Sequence, residues 1–348
     1  MNQKNILSQF SQKKTIDENI TIEVSTKCNQ SCTFCFARCG QNIDFSLRES
    51  TVKDILLESR DLGYDKLHLT GGEPLLWSPL VKTIEYALKI GFKSVFINSN
   101  GTLIDPLFCK VIDAYKRKIA FSISLQGPEN IHDSLRGKGS YKKAINGIEL
   151  LLSSGIDVSV FTSVGKTLLT QLPAYIDTLF NTFPDIINVA LIQLIRTKNG
   201  AFNHELLNAN EYRKLIVLIA HLNLLNYRII LLENPLANVV SKVLRIPWIE
   251  HAPPLVRKGR VTILANRDIT YAHSSDQQLG KYAPGILEKL VSSDEYTISL
   301  PDTEICYSCS HQELCNNNGM AYPTESNRNF NEDHFFCKQV LDSISEKS

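Results

Sequence analysis

Cys28, Cys32 and Cys35 fall within eight residues, with three and then two residues between them. Thiolates are soft ligands, and a short loop can bring such a set onto one small metal object. Three ligands rather than four is the informative number, because an iron–sulfur cubane held by three cysteines keeps one iron open to a small molecule. A zinc knuckle or a set of buried free thiols is the alternative, although zinc favours four ligands in paired Cys-x2-Cys hooks. A second group, Cys306, Cys309, Cys315 and Cys337, occupies a polar stretch with little apolar material to hold it together. The chain has nine cysteines, an odd number that speaks against a complete disulfide framework. Cys39, four residues after Cys35, reads as a nearby free thiol, and Cys109 as a small buried apolar residue within a helix.

The elements that must position these residues follow from hydrophobic periodicity. An alternating run over 20–24 precedes the cysteine loop. A helix is expected over 46–62, capped by Ser46 or Asp44, then a strand over 66–70 that breaks at Gly71-Gly72-Glu73-Pro74. Helix 79–90, strand 94–98, helix 106–115 and strand 119–125 continue the alternation. A turn-rich stretch over 126–139 precedes helix 141–153, strand 157–164, a helix over 172–180 and strand 187–194. Six strands alternating with helices suit right-handed parallel crossovers. The expected class is therefore α/β, a partial parallel (β/α)6 barrel, with an open doubly wound sheet as runner-up. Four polar loops each follow a strand and so project onto one mouth. From about 202 the repeat is expected to stop, leaving a helix over 210–225, a strand over 227–232 and a hairpin of 261–264 with 269–272. The expected division is an N-terminal segment 1–19, the barrel 20–225 and a cysteine-rich domain 226–348.

Composition narrows the function classes. The 348 residues are 43% apolar and 21% charged, which is ample for a core. A net charge of +1 gives no nucleic-acid-binding surface. No stretch is long and apolar enough to span a membrane. Residues 1–19 are polar and lack a signal peptide's apolar centre, so a cytoplasmic location is expected, where cysteines bind metal more often than they pair.

The Cys-x3-Cys-x2-Cys spacing, the Gly-Gly-Glu-Pro and the strand–helix series around them resemble the radical S-adenosylmethionine (radical SAM) enzymes over about residues 20–200. The resemblance implies that Cys28, Cys32 and Cys35 hold a [4Fe-4S] cluster whose fourth iron binds S-adenosylmethionine, and that one-electron cleavage yields a 5′-deoxyadenosyl radical. It implies that Gly71, Gly72 and Glu73 meet the ligand's amino group, with a helix-start glutamate as the bland reading of Glu73. Phe34 resembles the aromatic that flanks adenine. Asn98, Asn100, Ser122, Ser124 and Arg136 stand where family members contact the nucleoside or carboxylate. Gln126 replaces the aspartate that one subgroup carries in its Ser-Leu-Asp-Gly, which puts an acid–base role there in doubt.

The tail cysteines resemble the SPASM extension of enzymes that modify peptides and proteins. The four present match the ligand set of one auxiliary [4Fe-4S] cluster, and those of another are missing: Val256, His273 and Gly319 stand near the expected positions. Four thiolates close the coordination shell, so this cluster would be structural or an electron conduit, with a four-cysteine zinc site as the alternative.

The resemblance implies an oxidoreductase that modifies a ribosomally made peptide by epimerisation or crosslinking. Cys39 or Cys109 would be hydrogen donors if either faced the cavity. A flavodoxin- or ferredoxin-like electron donor is implied, and a leader peptide would need a separate binding protein or a groove in this chain. The alternatives are a small-molecule enzyme, such as those acting on tetrapyrrole side chains, and a non-catalytic metal or redox protein.

Overall fold

The structure is a computed structural model that describes residues 19–35, 44–194, 203–234, 236–246, 250–251, 259–273, 278–292, 309–311, 314 and 330–345. It divides into two compact units, one formed by 15–160 with 257–298, the other by 1–14, 161–256 and 299–348.

In the first unit, β1 (Asn19–Glu23), β2 (Lys66–Thr70), β3 (Ser94–Ser99) and β4 (Ile119–Ser124) pair in parallel in that order. Between them run α1 (Glu49–Asp61), α2 (Leu80–Lys89) and α3 (Pro106–Ile112). Because strand side chains alternate, register decides which residues share a face. Ile22, Leu69, Ile97 and Phe121 stand side by side, and all four are fully buried. Phe121 meets Phe108 of α3 edge-on with ring centroids 6.0 Å apart, so this is the helix-covered face. Each such side chain contributes roughly 1.5–3 kcal/mol by leaving water. The opposite face carries Thr21, Glu23, His68, Thr70, Phe96, Asn98, Ser122 and Ser124. It is polar, and His68, Phe96, Asn98 and Ser124 are only half-buried.

Several sequence expectations shift for local reasons. Helix α1 starts at Glu49 rather than at 46, with Arg48 as N-cap and no side-chain cap. Ser46 instead pairs with Ser25 in an antiparallel bridge, so neither Ser46 nor Asp44 caps it. The stretch expected to be turn-rich contains α4 (Glu129–Arg136), which begins after Pro128. It leads into α5 (Ser140–Ser153), the junction being held by Asp133, which accepts from the backbone N–H groups of Gly139 and Tyr141 at 2.6 and 2.9 Å. Strand β5 (Asp157–Val164) falls where periodicity puts it.

In the second unit, α6 (Lys166–Thr182) is longer than expected and carries Pro173 inside it. Its first turn is completed by Glu205, whose carboxylate accepts from Thr167 N at 2.9 Å and Thr167 Oγ1 at 2.6 Å. The strand–helix repeat does not stop at 202. After β6 (Val189–Gln193), α7 (Ala209–Leu224) opens with a capping box of Asn208 and Glu211, and β7 (Ile229–Leu231) pairs in parallel with β6. Then α8 (Leu236–Val243) leads to β8 (Glu250–His251), parallel to β7. The strand expected over 227–232 is β7, but its parallel pairing with β6 was not foreseen, and β8, with two residues, is too short for periodicity to register.

The expected hairpin is present as β9 (Val261–Ile263) and β10 (Asp268–Thr270), with Arg267 at φ 73° in the turn. In the first unit β9 adds in parallel to the free side of β1, and β11 (Gln278–Lys281) extends the sheet beyond β10. Helix α9 (Ile286–Ser292) follows, and in the second unit α10 (Phe330–Ser345) sets Phe336 against Tyr212 of α7, centroids 5.6 Å apart.

Candidate functional site

The cysteine loop leaves β1 and is held on three sides by other segments of its own unit. On one side the chain after β2 runs beside it: Gly72 N donates to Ser25 O at 2.7 Å and Glu73 N to Lys27 O at 2.8 Å. This approach explains both glycines. A Cβ on Gly71 would lie 2.5 Å from Ser25 O, and one on Gly72 would collide with Lys27 O.

On the second side stands the end of β3. Glu73 is fully buried; its carboxylate accepts from Ser99 Oγ at 2.9 Å, from Asn100 N at 2.7 Å and from Leu75 N at 3.1 Å, the last as N-cap of the short 3-10 turn Pro74–Leu76. Burial pushes this carboxyl upward, against the donors that hold its charge. Asn100 in turn donates to Asn29 Oδ1 at 2.8 Å and accepts from Thr102 N and Oγ1 at 2.9 and 2.7 Å. Asn29 donates to Thr102 Oγ1 at 2.8 Å, which closes a ring of amides and hydroxyl beside Cys28.

On the third side is the end of α4. Thr33 N donates to Leu135 O at 3.2 Å, Arg136 Nη1 to Gln30 Oε1 at 3.4 Å, and the Arg136 guanidinium lies 5.3 Å from the centre of the Phe34 ring. Gln30 also faces Cys32 Sγ at 3.6 Å, and Gln30 Nε2 is buried with no hydrogen-bond partner among the described residues.

Cys28, Cys32, Cys35 and Cys109 are in no disulfide, the first three half-buried and Cys109 buried. Burial pushes the Cys28 thiol up to about 11 and also raises Cys32, against which the Arg136 charge acts. Three soft sulfur donors on one loop, with a cation alongside that favours their thiolate form, are the donor set that a thiolate-held cluster requires. The donor chemistry of Cys28, Cys32 and Cys35 suits a [4Fe-4S] cluster, while among the described residues no three ligating side chains are placed to hold a single metal ion.

The structure thus gathers Phe34, Gly71, Gly72, Glu73, Asn100 and Arg136 around the loop. Asn98, Ser122 and Ser124 share the polar face of the sheet instead, with Asn98 opposite Ser122 and beside His68. Burial holds His68 down to about 4. Gln126 is fully buried, and its backbone N–H donates to His132 Nδ1 at 3.0 Å. Cys109 packs on α3 near Ser154 at the end of α5, on the helix-covered side. Cys39, Cys306 and Cys315 lie outside the described residues, while Cys309 and Cys337 are half-buried.

Sequence reasoning missed Asn29, Gln30, Ser99 and Thr102. Their signal was polar side chains inside and beside motifs already marked. It also missed Glu23, which is buried at the end of β1 on the polar face, hydrogen-bonds to His273 Nε2 and accepts from Ala265 N at 3.2 Å.

Residues 22–170 match the radical SAM superfamily. Among curated proteins, Fe-coproporphyrin III synthase of Methanosarcina barkeri is 29% identical over 180 residues, covering 50% of this chain and 43% of that protein. The antilisterial bacteriocin subtilosin biosynthesis protein AlbA of Bacillus subtilis is 32% identical over 146 residues, covering 41% and 32%. The chain spans less than half the length of these relatives. Among solved structures, native anSMEcpe with bound AdoMet and Cp18Cys peptide superposes with a TM-score of 0.65 at 15% identity, covering 95% of this chain and 99% of that one. That likeness shows the fold, the partial parallel α/β barrel class expected from the sequence. Among the described residues no helix is long and apolar enough to cross a membrane.

Proposed function

The chain belongs to the radical SAM superfamily through its residues 22–170, and on that basis we propose that it is a cytoplasmic radical SAM oxidoreductase that matures a ribosomally made peptide by epimerisation or crosslinking. One observation carries the reading: three cysteines in no disulfide, Cys28, Cys32 and Cys35, stand on a loop clamped by Gly72–Glu73, Asn100 and Arg136. When bound, the [4Fe-4S] cluster and S-adenosylmethionine supply a 5′-deoxyadenosyl radical that removes a hydrogen atom from the substrate.

The chain's own residues do the rest. Gly71 and Gly72 let the backbone after β2 lie against the loop, and Glu73 fixes that backbone to the end of β3. Arg136 brings a positive charge next to Cys32 and offers it to the carboxylate of S-adenosylmethionine. Phe34, stacked under Arg136, presents a face for adenine. Asn98, Ser122 and Ser124 are assigned to the nucleoside from the polar face of the sheet.

Peptide as substrate class is supported by the subtilosin biosynthesis protein among the relatives and by the peptide bound to anSMEcpe. The second reading, modification of a tetrapyrrole side chain, is favoured by the similarity to Fe-coproporphyrin III synthase over half of the chain. We assign Cys306, Cys309, Cys315 and Cys337 to an auxiliary [4Fe-4S] cluster in a SPASM-like domain beginning near residue 226. Leader-peptide binding is assigned to a separate protein or to a groove in this chain.

Anaerobic reconstitution tests the cluster content. About eight irons per chain, falling to about four in the Cys28→Ala/Cys32→Ala/Cys35→Ala variant, is the result expected for two cubanes. Zinc in place of iron, with no response to S-adenosylmethionine, would defeat the reading. Incubation with peptides encoded beside the gene, and separately with coproporphyrin, distinguishes the two substrate classes by mass change.

A further inference from the structure

Gln30 lies between Cys28 and Cys32 and reaches both. Its backbone N–H donates to Cys28 Sγ at 3.4 Å, and its side-chain Oε1 accepts from Cys32 Sγ at 3.6 Å and from Arg136 Nη1 at 3.4 Å. The residue is only 8% exposed although it sits on a loop. Two N–H groups beside Cys32, Gln30 Nε2 and Arg136 Nε, are buried with no hydrogen-bond partner among the described residues. The buried carboxylate of Glu73 does not serve them, because it is taken up by Ser99, Asn100 and Leu75.

An unmade buried hydrogen bond is costly, whereas an apolar side chain of the same volume carries no such penalty. A buried donor of this kind calls for an acceptor: water, an ion or a ligand. The state of Cys32 decides which acceptor arrives here. As a thiol, Cys32 donates its S–H to Gln30 Oε1, which is the contact seen. As a cluster ligand it is a thiolate and can only accept. The pairing then fails on the oxygen side, and the same amide still has two N–H groups to offer.

We propose that Gln30 is a positioning residue whose side-chain amide donates an N–H to a sulfur of the [4Fe-4S] cluster assigned to Cys28, Cys32 and Cys35, and so raises the cluster's reduction potential. The proposal deepens the function put forward above and rests on it. Reduction adds one electron, supplied in the test by dithionite, and increases the negative charge on the sulfurs. The amide moves no proton and forms no covalent bond. An N–H aimed at sulfur favours the more negative state, and hydrogen bonds to the sulfurs are one of the levers that set such potentials. The Gln30 backbone N–H on Cys28 acts in the same sense and survives a change of side chain, so substitution isolates the amide.

Two variants test it. Gln30→Met keeps the length and removes the N–H, and Gln30→Glu keeps an acceptor for Arg136 Nη1 without an N–H. The full chain is reconstituted without oxygen and titrated with dithionite in the absence of S-adenosylmethionine, the cluster being followed by electron paramagnetic resonance. The Cys28→Ala/Cys32→Ala/Cys35→Ala variant supplies the signal of any other cluster for subtraction. The reduction equilibrium of the first cluster should fall about tenfold in Gln30→Met, which is about 59 mV for a one-electron couple. With glutamine labelled by nitrogen-15 in its side chain, the reduced parent should show a nitrogen-15 hyperfine coupling that is absent from whichever variant keeps its iron. If neither does, the parent's coupling decides. A reduction equilibrium in Gln30→Met within about twofold of the parent, or no such coupling in the parent, would overturn the proposal. So would a coupling that appears only after S-adenosylmethionine is added. Iron in the parent no higher than in the triple-alanine variant would overturn the cluster reading itself, an outcome separate from a loaded cluster indifferent to Gln30.

Discussion

Asn100 donates from Nδ2 to Asn29 Oδ1 at 2.8 Å, so the end of β3 holds the residue that follows Cys28. The same residue's backbone N–H is held by buried Glu73 at 2.7 Å. Cysteine loop, glycine motif and third strand are therefore one hydrogen-bonded unit rather than three neighbouring motifs. Asn100→Ala removes the side-chain half of this unit and leaves the Thr102 N–H and the Asn29 amide short of partners. A loss of about 1–3 kcal/mol is expected. Iron retained after reconstitution should fall at the first cluster while the Tm drops by a few degrees, read by metal analysis and calorimetry.

Gly147 of α5 backs this unit from the helix side, since a Cβ there would run into Gly101 O. In an ordinary helix Gly→Ala stabilises by about 1 kcal/mol. Here Gly147→Ala should destabilise by about 1–3 kcal/mol, because backbone rather than a flexible side chain must move. Urea denaturation reads the sign. The displaced 99–102 loop should also weaken S-adenosylmethionine binding in the reconstituted protein.

Arg136 reaches Gln30 and stacks on Phe34 from the end of α4. Arg136→Gln keeps a donor but removes the charge, and affinity for S-adenosylmethionine is expected to fall about tenfold, as for loss of one charge-assisted hydrogen bond. Arg136→Lys should recover only part of it, since a point charge does not replace the planar fork. Equilibrium binding on the reconstituted protein measures both.

His132 is fully buried, and burial, reinforced by the Arg136 charge, holds it down to about 3. Its ring takes the Gln126 N–H on Nδ1, which requires the neutral form. The folded state therefore resists a proton that the unfolded chain accepts below about pH 6.5. Stability contributed by the neutral ring is complete above that pH and is lost as pH falls toward 3, at about 1.4 kcal/mol per unit. His132→Asn keeps an acceptor for Gln126 N without titrating there. Denaturation at pH 7.5 and at pH 5 should show a smaller acid loss in the variant than in the parent.

Local pattern carried much of this architecture. Lys66–Thr70, Asp157–Val164 and the turn of the β9–β10 hairpin lie where periodicity and turn chemistry put them. The cysteines and glycines could be marked as a site because their spacing is a chemical statement in itself. What escaped was decided by contacts distant in sequence. The start of α6 depends on Glu205, thirty-eight residues downstream of Thr167. Strand β8, which the sequence did not announce, exists because a parallel neighbour offers it a ladder, not because its two residues show alternation. The pairing of Glu23 with His273 spans 250 residues and left no local trace. Glu73 was read as a candidate for the ligand's ammonium group or as a helix-start residue. Its place as cap of the Pro74–Leu76 turn is the helix-start reading, and its bonds to Ser99 and Asn100 could not be read from spacing.

The central claim is that Cys28, Cys32 and Cys35 make this chain a source of 5′-deoxyadenosyl radical chemistry. The direct measurement is chromatographic: 5′-deoxyadenosine and methionine formed from S-adenosylmethionine by the reconstituted protein under dithionite, without oxygen. Equal amounts of the two from the parent, and neither from the Cys28→Ala/Cys32→Ala/Cys35→Ala variant, is the predicted result. A parent that carries its full iron complement and yields no 5′-deoxyadenosine would contradict it.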